Sequence, residues 1–217
     1  MTPEEVDAAI RTKFRVKKRD TLPFTGWLKS NRKHLAELYR ELGYKVGAEI
    51  GVQRGHHART LCNNVKDLKL FCIDTWEPYN KIGKKKTDEI YAHCLARLKR
   101  FKNVEFMKMT SMEAVKLIPD RSLDFVYIDG LHEFDPVIMD IVHWSQKVRF
   151  GGIVAGHDYY AFYQGGVMKA VNAYTRAHNI NDWYVTTADT NGFPSWFWVQ
   201  KEEYQQGYPV PKHGGQI

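Results

Sequence analysis

The chain has 217 residues, 43% of them hydrophobic, and its 32 Lys and Arg against 25 Asp and Glu give a formal net charge of +7. That length and apolar content suit one globular domain, and no stretch nears the roughly 18 uninterrupted apolar residues of a membrane span. The N-terminus "MTPEEVDAAIRTKFRVKKRD" lacks the apolar centre of a secretion signal, so the expectation is a soluble, cytoplasmic protein with no membrane partner. Cys62, Cys72 and Cys94 are odd in number and sit in periodic or apolar segments, which predicts reduced buried thiols rather than a disulfide framework.

Residues 1–43 do not follow the rhythm of the rest and are expected to form an N-terminal helical extension or lid. In "SNRKHLAELYRELG", Leu35, Leu38, Tyr39 and Leu42 recur at helical spacing, Ser30 or Asn31 can cap the start and Gly43 can close the end. The stretch before it, with "TLPFTGW", could wrap the surface, shape a substrate mouth or meet a second subunit. A homo-oligomer therefore stays open.

From residue 44 to 201 short runs rich in Val, Ile and Phe alternate with helical segments, the pattern of a mainly parallel sheet covered on both faces. The expected strands are 45–52, 68–76, 104–109, 122–130 and 151–158. Helices are expected at 57–65, 86–101, 111–118, 134–148 and 165–178. A closing pair, 182–189 and 194–201, is joined by "TNGF", whose Asn-Gly suits a tight reversal, so the last strand should run antiparallel. Residues 202–217 read as a tail.

Ligands of open parallel sheets bind beyond the carboxyl ends of the strands, where strand order reverses. The first strand ends in "AEIGVQRGHH", in which Gly51 and Gly55 let backbone approach a ligand at a helix N-terminus. The second ends on Asp74, about twenty residues further on, where a carboxylate can accept hydrogen bonds from both hydroxyls of a ribose. The spacing is not that of a pyrophosphate-seating G-x-G-x-x-G, so a nucleoside without phosphates fits better. The fourth strand runs into Asp129, Gly130 and His132, and the fifth into His157 and Asp158.

Together, "GAEIGVQRGHHA", "FCIDTW", "TSMEAVKLIPDRSLDFVYIDGLHEF" and "VRFGGIVAGHDYY" resemble a class I S-adenosylmethionine-dependent methyltransferase. The resemblance is to metal-dependent O-methyltransferases, of the catechol type and those acting on macrolide and aminocoumarin sugars. It implies an α/β, Rossmann-like fold: a seven-stranded, mostly parallel sheet with an antiparallel last strand and helices on both faces. It further implies that Glu49, Gly51, Val52, Gly55 and His57 line the methionine end of S-adenosylmethionine. Asp74 and Thr75 would lie at the ribose, Ser111 and Met112 at the adenine, and Asp129 beside the reacting methyl group. Adjacent parallel strands lie about 4.8 Å apart, so Asp129, His157 and Asp158 come within reach of one ion and match the family's metal ligands by position. His132, three residues after Asp129, matches a general base and titrates near neutrality.

Relatives usually carry a carboxylate at the position of His157, so a softer ion such as manganese or zinc joins magnesium among the candidates. His157 could equally contact substrate, or be a remnant in a protein without metal dependence. The implied reaction is O-methylation of a sugar or other small polyol. A lysine-rich loop at 80–87, one of three basic clusters with 15–20 and 97–102, would suit an anionic sugar. The same clusters keep nucleic-acid methylation as an alternative, although no Asn/Asp-Pro-Pro-Tyr loop is present. A non-catalytic Rossmann-like nucleotide-binding protein is the other.

Overall fold

The computed structural model describes residues 1–16, 24–25, 30–79, 81–161, 163–187 and 193–201. Outside these lie most of the 15–20 cluster, most of "TLPFTGW", the Asn-Gly of the closing reversal and the 202–217 tail.

The chain begins with a helix that sequence periodicity did not announce, α1 (Pro3–Lys13). Thr2 and Glu5 form a reciprocal capping box, with Pro3 at the first helical position. Val6 and Ile10 are fully buried, and α1 packs on the far end of the sheet. There Arg11 bonds Asp7 at 2.7 Å and Asp182 at 2.8 Å, while Tyr184 donates to Asp7. A two-residue strand, β1 (Phe24–Thr25), precedes α2 (Arg32–Glu41). Of the two expected caps of α2 it is Asn31 that acts, accepting from the Lys33 N–H at 3.0 Å. The apolar stripe of α2 is buried, with Tyr39 stacked on Phe125 at 4.2 Å between ring centroids.

The βα rhythm follows as β2 (Val46–Ile50), α3 (His56–Asn64), β3 (Lys69–Asp74), α4 (Lys84–Leu98), β4 (Val104–Lys108), α5 (Ser111–Ala114), β5 (Leu123–Ile128), α6 (Phe134–Ser145), β6 (Val148–Gly156) and α7 (Gly166–Ala177). The chain closes with β7 (Trp183–Val185) and β8 (Trp196–Val199). The sheet order is β1-β7-β8-β6-β5-β2-β3-β4, with β8 antiparallel to both β6 and β7. All seven expected strands are present in a mostly parallel Rossmann-like sheet, and β1 adds a short eighth at the β7 edge. One face of the sheet carries Leu70, Cys72, Phe125 and Tyr127 against α1 to α4. The other carries Ile50, Ile73, Val126 and Ile128 against α5 to α7.

Three boundaries differ from the sequence reading. α4 starts at Lys84, so the lysines expected in a loop form its first turn, where Lys84 pairs with Asp88 and Lys86 with Glu89. α5 is one turn, continued by a 3-10 turn over Val115–Leu117 rather than a full helix. β6 starts at Val148, where the expected helix ended, rather than at 151, and passes Gly151 at φ +73° beside a register shift against β5, a bulge. The three cysteines are free and buried, as expected. No helix among the described residues is long and apolar enough to cross a membrane.

Candidate active site

The chain winds outward from β2 to β3 and β4, then returns to place β5 on the other side of β2. At this reversal the strand tips end level. Gly51 donates to the Ile73 carbonyl at 2.9 Å, Asp129 to that of Ile50 at 2.8 Å, and His157 to that of Ile128 at 2.9 Å. A cavity of about 1340 Å³ opens beyond them, lined among others by Gly51, Val52, His57, Asp74, Thr75, Ser111, Met112, Asp129, His132, His157 and Asp158.

On the β2–β3 side the wall is built from backbone. Gly51 stands at φ +86°, and a Cβ there would lie 2.0 Å from the Asp129 carbonyl oxygen, so glycine alone fits. Asp74 accepts the Gln53 N–H on one oxygen and the Trp76 N–H on the other, each at 2.8 Å, and the Trp76 indole donates to the Gln53 carbonyl at 2.9 Å. Gln53 and Trp76 are held at positive φ in these turns. An ionised carboxylate offers about four acceptor sites, which leaves Asp74 capacity for a diol.

Glu49 and Gly55 stand behind this wall rather than in it. The Glu49 side chain points into the layer under α3 and α4, level with Cys72 and Tyr127, and reaches His57 Nδ1 at 3.5 Å from its Oε1. Burial pushes its carboxyl up to about 8, and Oε2 has no hydrogen-bond partner among the described residues. Glu49 is therefore a buried acid behind His57 and does not itself line the cavity. Gly55 caps α3 in the left-handed region without a side-chain bond, so the first turn of α3 meets the cavity with its dipole uncompensated.

At the opposite end the Ser111 hydroxyl donates to Asp140 and accepts from the Trp144 indole at 2.7 Å. Its O–H is thus committed within the protein while one acceptor lone pair remains, and the cavity here also offers Met112 and Asp140. Burial lifts Asp140 to about 6.

The β5–β6 side is built from charged side chains. His132 Nε2 lies 2.9 Å from Asp158 Oδ2, and His157 Nδ1 lies 3.0 Å from Asp158 Oδ1 and 3.7 Å from Asp129 Oδ1. Arg32, the first residue of α2, reaches in from the N-terminal segment, with Nη1 3.3 Å from Asp129 Oδ2 and Nη2 2.9 Å from His157 Nε2. Burial raises Asp129 to about 6 against the opposing pull of His157 and Arg32. Burial also works to raise Asp158, but hydrogen bonds from His132 and His157 outweigh it and hold that carboxyl well below the usual range. In return the bond to Asp158 raises His132 above its ordinary value despite burial.

Among the described residues, the group whose ligand atoms lie within 4.8 Å of one another is Asp129, His132 and Asp158. It differs from the expected trio in taking His132 for His157, whose ring nitrogens face Asp158 at 3.0 Å and Arg32 at 2.9 Å.

A family model described as "Methyltransferase domain" matches residues 48–159, a span holding both walls of the cavity. The chain belongs to this methyltransferase domain family. Its architecture is that of class I S-adenosylmethionine-dependent methyltransferases. The O-methyltransferase TomG from Streptomyces achromogenes, solved with S-adenosylmethionine, shares 17% identity, with 92% of this chain and 99% of that one covered at a TM-score of 0.57. An O-methyltransferase from Bacillus cereus, solved with S-adenosylhomocysteine, shares 13% identity over 92% of each chain at 0.58. A rRNA methylase from Streptococcus thermophilus shares 11% identity, over 81% and 99%, also at 0.58. These likenesses establish the fold. The uncharacterized protein y4gI of Sinorhizobium fredii is 29% identical over 115 residues, 51% of this chain, and the chain spans 12% of the length of that relative.

Asp140 and Arg32, both on the cavity lining, escaped the sequence reading. Asp140 shares the buried stripe of α6 with Val137, Ile141 and Trp144, and an acid in an apolar stripe is a readable signal. Arg32 carries none, being 97 residues from Asp129 and 125 from His157.

Proposed function

We propose that the chain transfers the methyl group of S-adenosylmethionine to a hydroxyl of a sugar or other small polyol, with His132 as general base. The observation that carries this reading is the His132–Asp158 pair at 2.9 Å, set beside Asp129 in the same cavity as Asp74. A nucleoside at Asp74, its amino-acid end toward His57 and the first turn of α3, would bring its sulfonium toward Asp129. The cavity exceeds the roughly 300–1,000 Å³ of an ordinary single-ligand site, which leaves space for an acceptor. An anionic sugar agrees with Arg32 and Arg54 on the lining.

In the reaction the acceptor oxygen forms its bond to the methyl carbon as the carbon–sulfur bond breaks. That electron pair passes to sulfur, giving S-adenosylhomocysteine, and the hydroxyl proton passes to His132 Nδ1. Asp158, bonded to Nε2, orients the ring and stabilises the imidazolium that results. Walls that held both partners in line would add the rate gain of positioning.

The divalent ion implied by the family resemblance fits these residues poorly. His132 Nε2 and Asp158 Oδ2 already face each other, Asp158 Oδ1 faces His157, and Asp129 Oδ2 faces a guanidinium. An ion taken by Asp129 would compete for that carboxylate with the guanidinium, whose like charge repels it. No step above runs through an ion.

Methylation of nucleic acid is the weaker reading, because lysines of the 81–86 cluster are paired within α4. The test is a methyl-transfer assay over a panel of sugars and sugar phosphates. His132→Ala should lower kcat about 10²–10⁴-fold while S-adenosylmethionine affinity holds. Unchanged turnover would remove His132 from the reaction.

A further inference from the structure

The negative charge at the methyl-transfer centre is partly offset from within the chain by a fixed cation. Two carboxylates, Asp129 and Asp158, face one guanidinium and one imidazole, Arg32 and His132. At the strand tip where metal-dependent relatives hold a third carboxylate stands His157, and Arg32 lies across it. Its Nη2 is 2.9 Å from Nε2 and 3.4 Å from Nδ1 of that ring. One guanidinium nitrogen thus lies within hydrogen-bond range of both ring nitrogens, which puts it over the ring rather than along one lone pair.

Arg32 is also held in place. It opens α2, whose start is fixed by Asn31 and His34 and whose stripe, Leu35, Leu38 and Tyr39, is fully buried. Tyr39 stacks on Phe125 of β5, the strand that ends on Asp129. The helix that delivers the cation and the strand that delivers the carboxylate are therefore packed as one piece.

We infer that Arg32 is the resident cation of this site: it supplies the fixed positive charge that a divalent ion supplies in metal-dependent relatives, and the Asp129–His132–Asp158 group takes no divalent ion while Arg32 is in place. The inference rests on the reading of this cavity as the methyl-transfer site. Its N–H groups keep Asp129 oriented and stabilise the negative charge that builds on the acceptor oxygen as the proton leaves for His132. A guanidinium stays charged at any working pH, so the group is always loaded.

The test reads metal binding directly. Full-length wild type, Arg32→Gln, Arg32→Ala and Arg32→Lys are stripped with chelator and titrated with Mn²⁺, the free ion being followed by electron paramagnetic resonance. Wild type and Arg32→Lys should leave Mn²⁺ free up to millimolar concentration. Arg32→Gln and Arg32→Ala should bind one Mn²⁺ at least tenfold more tightly, and Asp129→Asn added to either should abolish the gain. Turnover of wild type should survive chelation, and Arg32→Gln should lose at least tenfold in kcat with partial recovery in Arg32→Lys. A single Mn²⁺ bound by wild type and weakened by Asp129→Asn would overturn the inference, as would no gain in Arg32→Gln. Calorimetry with S-adenosylmethionine on the same samples separates the two ideas: a wild type that binds no cofactor sinks the methyltransferase reading, whereas intact cofactor binding with a metal-loaded wild type sinks only the role of Arg32.

Discussion

The two walls of the cavity are made differently. Around β2 and β3 the ligand-facing surface is backbone, positioned by Gly51, by the left-handed turns at Gln53 and Trp76 and by the two N–H bonds into Asp74. Around β5 and β6 it is side chain, a chain of contacts running from Arg32 through Asp129, His157 and Asp158 to His132. The backbone of the first wall does not tolerate added volume, because its atoms cannot turn away. A side-chain wall tolerates volume but not loss of charge, because each member leaves another charge uncompensated.

The largest expected effect therefore belongs to the backbone wall. Gly51→Ala drives a methyl group into the Asp129 carbonyl at a positive φ, which should cost about 3–5 kcal/mol and lower the melting temperature by about 10 °C or more. Thermal unfolding measures it. A melting point within two or three degrees of wild type would show that this wall is plastic and the contrast false.

Asp158→Asn should leave the fold in place and change the chemistry. The bond to Asp158 raises His132, and a base works when neutral, so activity of the wild type should rise through a pKa above the ordinary histidine value. Removing the carboxylate lowers that pKa, so the ascending limb of kcat/KM, followed from about pH 5 to 9, should move to lower pH. A limb that stays put would mean that His132 is not the group being read. The smallest effect is expected at Asn31→Ala. Losing the cap should cost about 1 kcal/mol and loosen Arg32, giving a few-fold loss in kcat with cofactor affinity unchanged. Equal losses in both would assign α2 to cofactor binding instead.

The contrast also explains what could be read in the sequence. Parallel strands buried on both faces are near-continuous apolar runs, so β2 to β6 stand out. The backbone wall is equally legible, since glycines and an acid at fixed offsets after two strands reflect local geometry. Glu49 was legible as a residue but not in its orientation, because the alternation of β2 turns it under α3 and α4. His132 and Asp158 follow from the strand ends, whereas their pairing in place of His157 does not. Arg32 is illegible: its partners are brought to it by the packing of α2 on β5, a tertiary contact with no local sign. α1 went unread for the opposite reason, since its capping box was present in Thr2 and Glu5 while its apolar face is only two residues wide.

Calorimetric titration of S-adenosylmethionine into wild type, Asp74→Ala and His132→Ala tests most directly whether both walls enclose one cofactor site. Wild type should bind at a single site, His132→Ala as tightly, and Asp74→Ala about 10–100-fold more weakly for the loss of charged hydrogen bonds. A wild type that binds none, or an Asp74→Ala variant that binds as tightly as wild type, would contradict the account.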